Sequence, residues 1–346
     1  MKHEAREVQG KQSMNPWGRR LALLLAGFLA VPAVLLPRCA PERAHEAVRE
    51  EVKGLLYRIR HGDRMMYLLG SIHIGNEDMH PFGEAIRQGM GEADVFVFEC
   101  DATSQEAAVA ARSAMAMPEG GTLHELISPE CYALLEEVCR LKGYSVSQMN
   151  MLRPWAAMLS LSMEATAAEL GAENARKAAA LGVERSVMAF AREQRKQIAY
   201  LETTQEQLDA LDRLSLPLQE YLLREQLQMI LDPSRAKGLD ADIGQWPAYW
   251  QAGDAQAFAD SYQRGYQGIT EEEELAWADE YHAALVTRRN LLMADRLDAM
   301  MREEEPHVYF VTIGLLHVAL PEDSVLKHLE SRGYQVEYIS QPIPAH

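Results

Sequence analysis

The stretch VYFVTIGLLHVALPEDSVLKHLESRGYQVEYI, residues 308–339, decides the fold class. Val308 to Ile313 is a continuous apolar run of β-branched and aromatic residues, the pattern of a strand covered on both faces. Pro321 to Ser331 reads as a helix, Gly333 as its stop and Gln335 to Ile339 as a second strand. A strand–helix–strand of this length suits a parallel crossover. Directly after the first strand comes Gly314-Leu-Leu-His317. The same Gly-x-x-His recurs near the other end, in Leu68-Leu-Gly70-Ser-Ile-His73-Ile-Gly75. With 22 glycines and 11 histidines in the chain, the spacing alone says little. What selects these two copies is the apolar run before each. A third copy, Gly121-Thr-Leu-His124, follows the turn-like Pro118-Glu-Gly-Gly121 and no strand, and reads as coincidence.

Outward from these motifs, Leu55 to Arg60 and Arg64 to Leu69 flank His61-Gly62-Asp63 as a β-hairpin. A helix opens at Pro81, and Asp94 to Glu99 is a buried-type strand. An Ala/Met/Leu-rich helical stretch runs to about Gln194, Gln197 to Leu201 is a further short strand, and helices resume from Thr204 to about Arg302. The fold class is therefore α/β with α+β character. A small central sheet carries the N-terminal hairpin, a large helical insertion (about 103–195) and the C-terminal strand–helix–strand unit.

In such sheets ligands gather beyond the carboxyl ends of the strands. Four polar residues sit there, each after an apolar strand: His73, Glu99, Glu202 and His317. Two imidazoles and one or two carboxylates form a mixed N/O donor set suited to a divalent ion such as Mn²⁺, Co²⁺ or Zn²⁺, able to activate a water. Glu99 can serve as ligand or take the proton from that water. Arg289, on a helix before the last unit, can steady an oxyanion or a carboxylate. Simpler roles compete: a strand-end histidine bonds a backbone carbonyl, and an acid at a strand–helix junction caps the helix. The glycine three before each histidine would let the backbone turn tightly. Pro154-Trp155, Trp246 and Trp250 read as packing residues at helix starts.

The net charge of −17 argues against nucleic acid as a partner, and no basic patch with interleaved aromatics offsets it. Basic residues are concentrated at the start. Residues 1–20 hold Lys2, Arg6, Lys11, Arg19 and Arg20, and 21–37 (LALLLAGFLAVPAVLLP) is almost wholly apolar. This is the pattern of an export signal or a short membrane anchor, and both fit. It predicts a cytoplasmic N-terminus and an exported, extracytoplasmic remainder. A connector (38–48) follows, then one domain over 49–341. Cys39, Cys100, Cys131 and Cys139 form no metal-type pair and read as small apolar residues.

The same residues carry a resemblance to the TraB/GumN family, which includes the Tiki proteases and the pheromone-shutdown proteins. It begins at Leu68-Leu-Gly-Ser-Ile-His73 and continues through Ala93 to Glu99, Ile127 to Tyr132 and Arg153-Pro-Trp155. Leu181-Gly-Val-Glu184, Leu201-Glu-Thr203, Arg289-Asn290 and Ile313-Gly-Leu-Leu-His317 complete it in the same order. The resemblance implies a metal-dependent hydrolase fold. From the Tiki members it implies peptidase activity with Mn²⁺ or Co²⁺, carried by His73, His317 and Glu99, with Glu202 as the second strand-end acid. It also brings in Glu184, where many bacterial members have Asp, as a substrate-binding residue beside Arg289. Leu315-Leu316 replaces the small residues common before the second histidine, which would narrow the site. The expectation is an exported metallohydrolase cleaving peptides, with a peptide- or small-ligand-sequestering protein using the same cleft as the alternative. Ester or amide hydrolysis on a small molecule is a third reading.

Overall fold

The structure, a computed structural model, describes residues 52–339 apart from 74, 102, 171–176, 237–244 and 268, and for 163–170 the backbone alone. The basic segment, the apolar run, the connector and Cys39 lie outside the described residues. Six strands form one mixed sheet: β1 (Leu56–His61), β2 (Arg64–Ser71), β3 (Val95–Phe98), β4 (Gln197–Tyr200), β5 (Tyr309–Gly314) and β6 (Gln335–Tyr338), in the order β4-β3-β5-β2-β1-β6. The hairpin forms as the sequence predicts, with Gly62 at φ +63° in its tip. β2, β5, β3 and β4 run parallel, and β1 alone runs against the rest. The C-terminal unit is a crossover between strands of like direction, but β6 does not join β5. It passes over β2 and β1 and pairs antiparallel with β1 at the sheet edge.

The alternation along the strands sorts two cores. Tyr67, Leu69, Phe96, Phe98 and Phe310 face the larger one, beneath helices that include Glu84–Glu92 and Val183–Glu193. Met66, Leu68, Val95, Val97, Val311 and Ile313 face the other. The helix Arg288–Met301 covers that side through Met293, Ala294 and Leu297, and Val325–Ser331 through Val325 and Leu329. Because helices cover both faces, β3 and β5 are wholly buried and their sequences are apolar at almost every position. Trp155, Trp246 and Trp250 are core residues, and Cys100, Cys131 and Cys139 are buried free thiols. Among the described residues no helix is long and apolar enough to cross a membrane.

Candidate active site

The strands β2, β3, β4 and β5 end side by side, and His73, Glu99, Glu202 and His317 follow those ends. The helix caps explain why the two acids are free to turn inward. Ser104 caps the helix Gln105–Met115, and Thr203 with Glu206 forms a capping box on Thr204–Asp212. Capping falls to those residues, not to Glu99 or Glu202.

Glu99 and Glu202 close on Arg289, which arrives from the 288–301 helix. Arg289 Nη2 donates to Glu99 Oε2 at 2.7 Å and to Glu202 Oε2 at 2.9 Å, and Nε donates to both oxygens of Glu202 at 3.1 and 3.2 Å. Glu99 Oε2 also accepts from Gln207 Nε2 at 3.2 Å, and its Oε1 accepts from the Gly314 amide. Burial works against the Glu99 charge, but Arg289, both imidazoles and the Gly314 amide outweigh it and hold the carboxyl down at about 2. Glu202 moves the other way, raised by burial and by the Glu99 charge despite Arg289. The Cys100 thiol is pushed up by burial and then by the charges of Glu99, Glu184 and Glu202.

The two imidazoles are held by different partners. His73 Nδ1 lies 3.0 Å from Glu184 Oε2, and His317 Nδ1 lies 2.7 Å from Asn290 Oδ1. An amide oxygen only accepts, so His317 carries its proton on Nδ1. Its Nε2 is buried and has no hydrogen-bond partner among the described residues. Burial, and Arg289 nearby, lower the His317 pKa to about 3 against the opposing pull of Glu99, so the ring is neutral at physiological pH. His317 and Glu99 are each 1% exposed, while the His73 side chain retains 15%.

The motif glycines serve close approach. Neither adopts a positive φ. A Cβ on Gly314 would stand 2.9 Å from Glu99 Oε1, and one on Gly70 would stand 2.9 Å from Leu315 Cδ1. Leu315 N–H donates to the Ser71 carbonyl, so the two Gly-x-x-His turns lock together, and Leu315 and Leu316 are buried in the junction. The third copy is elsewhere: His124 is exposed and edges onto the Tyr132 ring.

Six residues read from the sequence thus meet in one region, in two groups: Glu99–Arg289–Glu202, and the imidazoles His73 and His317, with Glu184 on His73. Sequence reasoning missed Asn290, Gln207 and the Gly314 amide. Asn290 stood beside Arg289 in the motif, and its position next to a site arginine on one helix was the available signal. Among the described residues no three His, Cys, Asp or Glu side chains are gathered as a ready metal site. The donor chemistry does suit a metal ion: a neutral imidazole clamped at Nδ1 with a bare buried Nε2 is how metal-binding histidines are prepared. A cleft of about 480 Å³ opens beside Glu202, walled by Asp101, Ser104, Glu106, Tyr200, Thr203 and Arg296. His73, His317, Glu99 and Arg289 do not line it.

Comparison with known proteins bears on the family of the chain. The chain matches the protein YbaP of Escherichia coli (strain K12), an uncharacterized protein, at 24% identity over 262 residues, which is 74% of this chain and 85% of YbaP. YbaP of Shigella flexneri matches at the same identity and coverage. No solved structure matches. The family model TraB/PrgY/gumN matches residues 55–338, from the first strand of the sheet to the last, and the chain belongs to that family.

Proposed function

We propose that the protein is an exported metal-dependent hydrolase that cleaves peptides, with His73, His317 and Glu99 holding one divalent ion. The observation that carries this is His317, whose Nδ1 is fixed by Asn290 and whose buried Nε2 is left bare. An unmatched buried polar atom costs about 1–3 kcal/mol, and a ligand at that nitrogen would recover it. The charge balance agrees. Three buried carboxylates, Glu99, Glu184 and Glu202, gather around the single guanidinium of Arg289 and the imidazoles, an acidic surrounding that suits a cation.

When bound, the ion would supply Lewis acidity and an activated water. The chain's own groups do the rest. Glu99 provides an anionic oxygen donor, oriented by Gly314 and Gln207. Glu202 fixes Arg289 through both its oxygens, and Arg289 keeps a charged guanidinium against Glu99, ready to face negative charge developing on a substrate. Glu184 orients His73, the imidazole nearest solvent, and through it the point where a substrate would meet the cluster. Residues 1–37 would deliver the domain across a membrane as a cleaved signal or a retained anchor.

The test is metal analysis of purified protein, followed by stripping and return of Mn²⁺, Co²⁺ or Zn²⁺ against a peptide library. Hydrolysis should return with metal and fall at least a hundredfold in His73→Ala and His317→Ala. Undiminished hydrolysis in the double variant overturns the assignment. The burial of His317 and Glu99 favours one rival, a protein that sequesters a peptide or small ligand at the same place without turnover. Stoichiometric metal with no cleavage of peptides or small esters and amides would support that rival. Fractionation of cells expressing the full chain tests export.

A further inference from the structure

Asp323 lies in the loop between Leu316–Ala319 and Val325–Ser331, and no motif of the sequence singles it out. Hydrogen bonds nevertheless converge on it from two directions. On one side, Asn290 Nδ2 donates to its carbonyl oxygen at 3.0 Å and to Oδ1 at 3.1 Å, while Asn290 Oδ1 faces His317 Nδ1 at 2.7 Å. On the other, Thr287 Oγ1 donates to Oδ2 at 2.5 Å and His282 Nε2 approaches Oδ2 at 3.2 Å. Behind His282, its Nδ1 lies 3.3 Å from the Tyr262 hydroxyl, which lies 2.7 Å from that of Tyr266. His328 Nε2 stands 3.5 Å from Oδ1.

The directions of these bonds follow from one fact: an ionised carboxylate and a carbonyl can only accept. Asn290 must therefore turn its NH₂ toward Asp323, which leaves only its oxygen for His317. His317 must then keep its proton on Nδ1. On the far side His282 must carry a proton on Nε2 to donate to Oδ2. Asn290, Thr287 and His282 thus all donate to Asp323. Without that acceptor the Asn290 amide could flip, and a flipped amide would ask His317 for a bare Nδ1 and a protonated Nε2.

We infer that Asp323 is a positioning residue for His317: by fixing the direction of the Asn290 amide it selects the ring tautomer whose Nε2 is free to bind. Thr287 and His282 hold Asp323 in place. Thr287 belongs to a π-helical turn, Ala283–Thr287, just before Arg289 and Asn290. Such a turn adds a residue to the helix and changes which side chains face inward, a common device beside functional sites. The inference rests on the proposed hydrolase only for its consequence, since the tautomer exists with or without metal or substrate.

The experiment is long-range ¹H–¹⁵N correlation of the histidine rings in metal-free full-length protein, with His317 assigned by its loss in His317→Gln. Wild-type protein should show one His317 tautomer, protonated at Nδ1. Asp323→Asn can still turn an oxygen toward Asn290 and should keep that tautomer as the major form. Asp323→Leu and Asn290→Leu should give exchange-averaged ring nitrogens, with amide spectra elsewhere in the sheet unchanged. A wild-type His317 protonated at Nε2 overturns the inference even if neither leucine variant folds. So does a single unchanged tautomer in both leucine variants. Absence of hydrolysis in metal-loaded wild-type protein, with the tautomers behaving as stated, would count against the proposed function and leave Asp323 in its role.

Discussion

Arg289 is the residue on which most of the buried charge turns. The residue is 6% exposed, and its guanidinium divides its hydrogen bonds between two glutamates that are themselves buried. Such an arrangement adds little stability over an apolar core, yet removing one member is costly because the others are stranded in low dielectric. Arg289→Met is therefore expected to lower unfolding stability by about 3–5 kcal/mol in urea titrations at neutral pH. A loss below about 1 kcal/mol would mean that water reaches Glu99 and Glu202 when the arginine is gone. At this scale the sequence was informative where a residue was out of character for its place. An acid or an imidazole ending an apolar strand is such an anomaly, and His73, Glu99, Glu202 and His317 were all found that way. Asn290, Gln207 and Asp323 were not, because a polar residue on a helix or loop is ordinary until its partner is known. Those partners lie 27, 108 and 33 residues away in the chain.

At the scale of elements, the loop after β2 is clasped by the turn that precedes the 183–193 helix. Gly75 N–H donates to the Ala178 carbonyl and Val183 N–H to the Ile72 carbonyl, while a ring nitrogen of His80 lies 2.8 Å from the Leu181 carbonyl. A Cβ on Gly182 would collide with the His73 carbonyl and one on Gly75 with that of Leu181, so the backbones approach as closely as glycine permits. This clasp delivers Glu184 to His73. Gly182→Ala should cost about 1–3 kcal/mol and separate Glu184 from His73, read as a shift of the His73 ring resonances by NMR. Unchanged ring resonances would show that Glu184 reaches His73 without the clasp. Strands, hairpin and most helices could be read from apolar periodicity and turn residues. The place of β6 could not. Its pairing depends on which sheet edge the crossover reaches, and a strand–helix–strand pattern carries no count of the strands passed over. The tight turning ascribed to Gly70 and Gly314 was likewise the wrong physical reason for the right residues, since close approach needs a neighbour the local sequence does not contain.

Across the whole molecule, acid should weaken the structure partly through Asp323. Burial raises the pKa of its carboxyl, but hydrogen bonds from Thr287 and Asn290 and the nearby His282 more than offset this and leave it lowered. A lowered folded value means stability that is present above the unfolded value, about 4, and is lost as pH falls through the folded one. Asp323→Asn should be less stable than wild type by about 1–2 kcal/mol at pH 7, a figure reduced for partial exposure, with the two converging as pH falls through the folded value. Parallel curves across that range would remove Asp323 from the account of acid stability.

The position of β5 bears on the order in which the protein is made. It lies between β3 and β2, and without it the sheet is two separate pieces, the parallel pair β3–β4 and the hairpin β1–β2. Yet β5 begins at Tyr309, near the end of the chain. A nascent polypeptide made only through β4 therefore lacks the strand that joins those pieces and brings His317 to Glu99. The site therefore assembles only after β5 has been made, however early β2 and β3 become available.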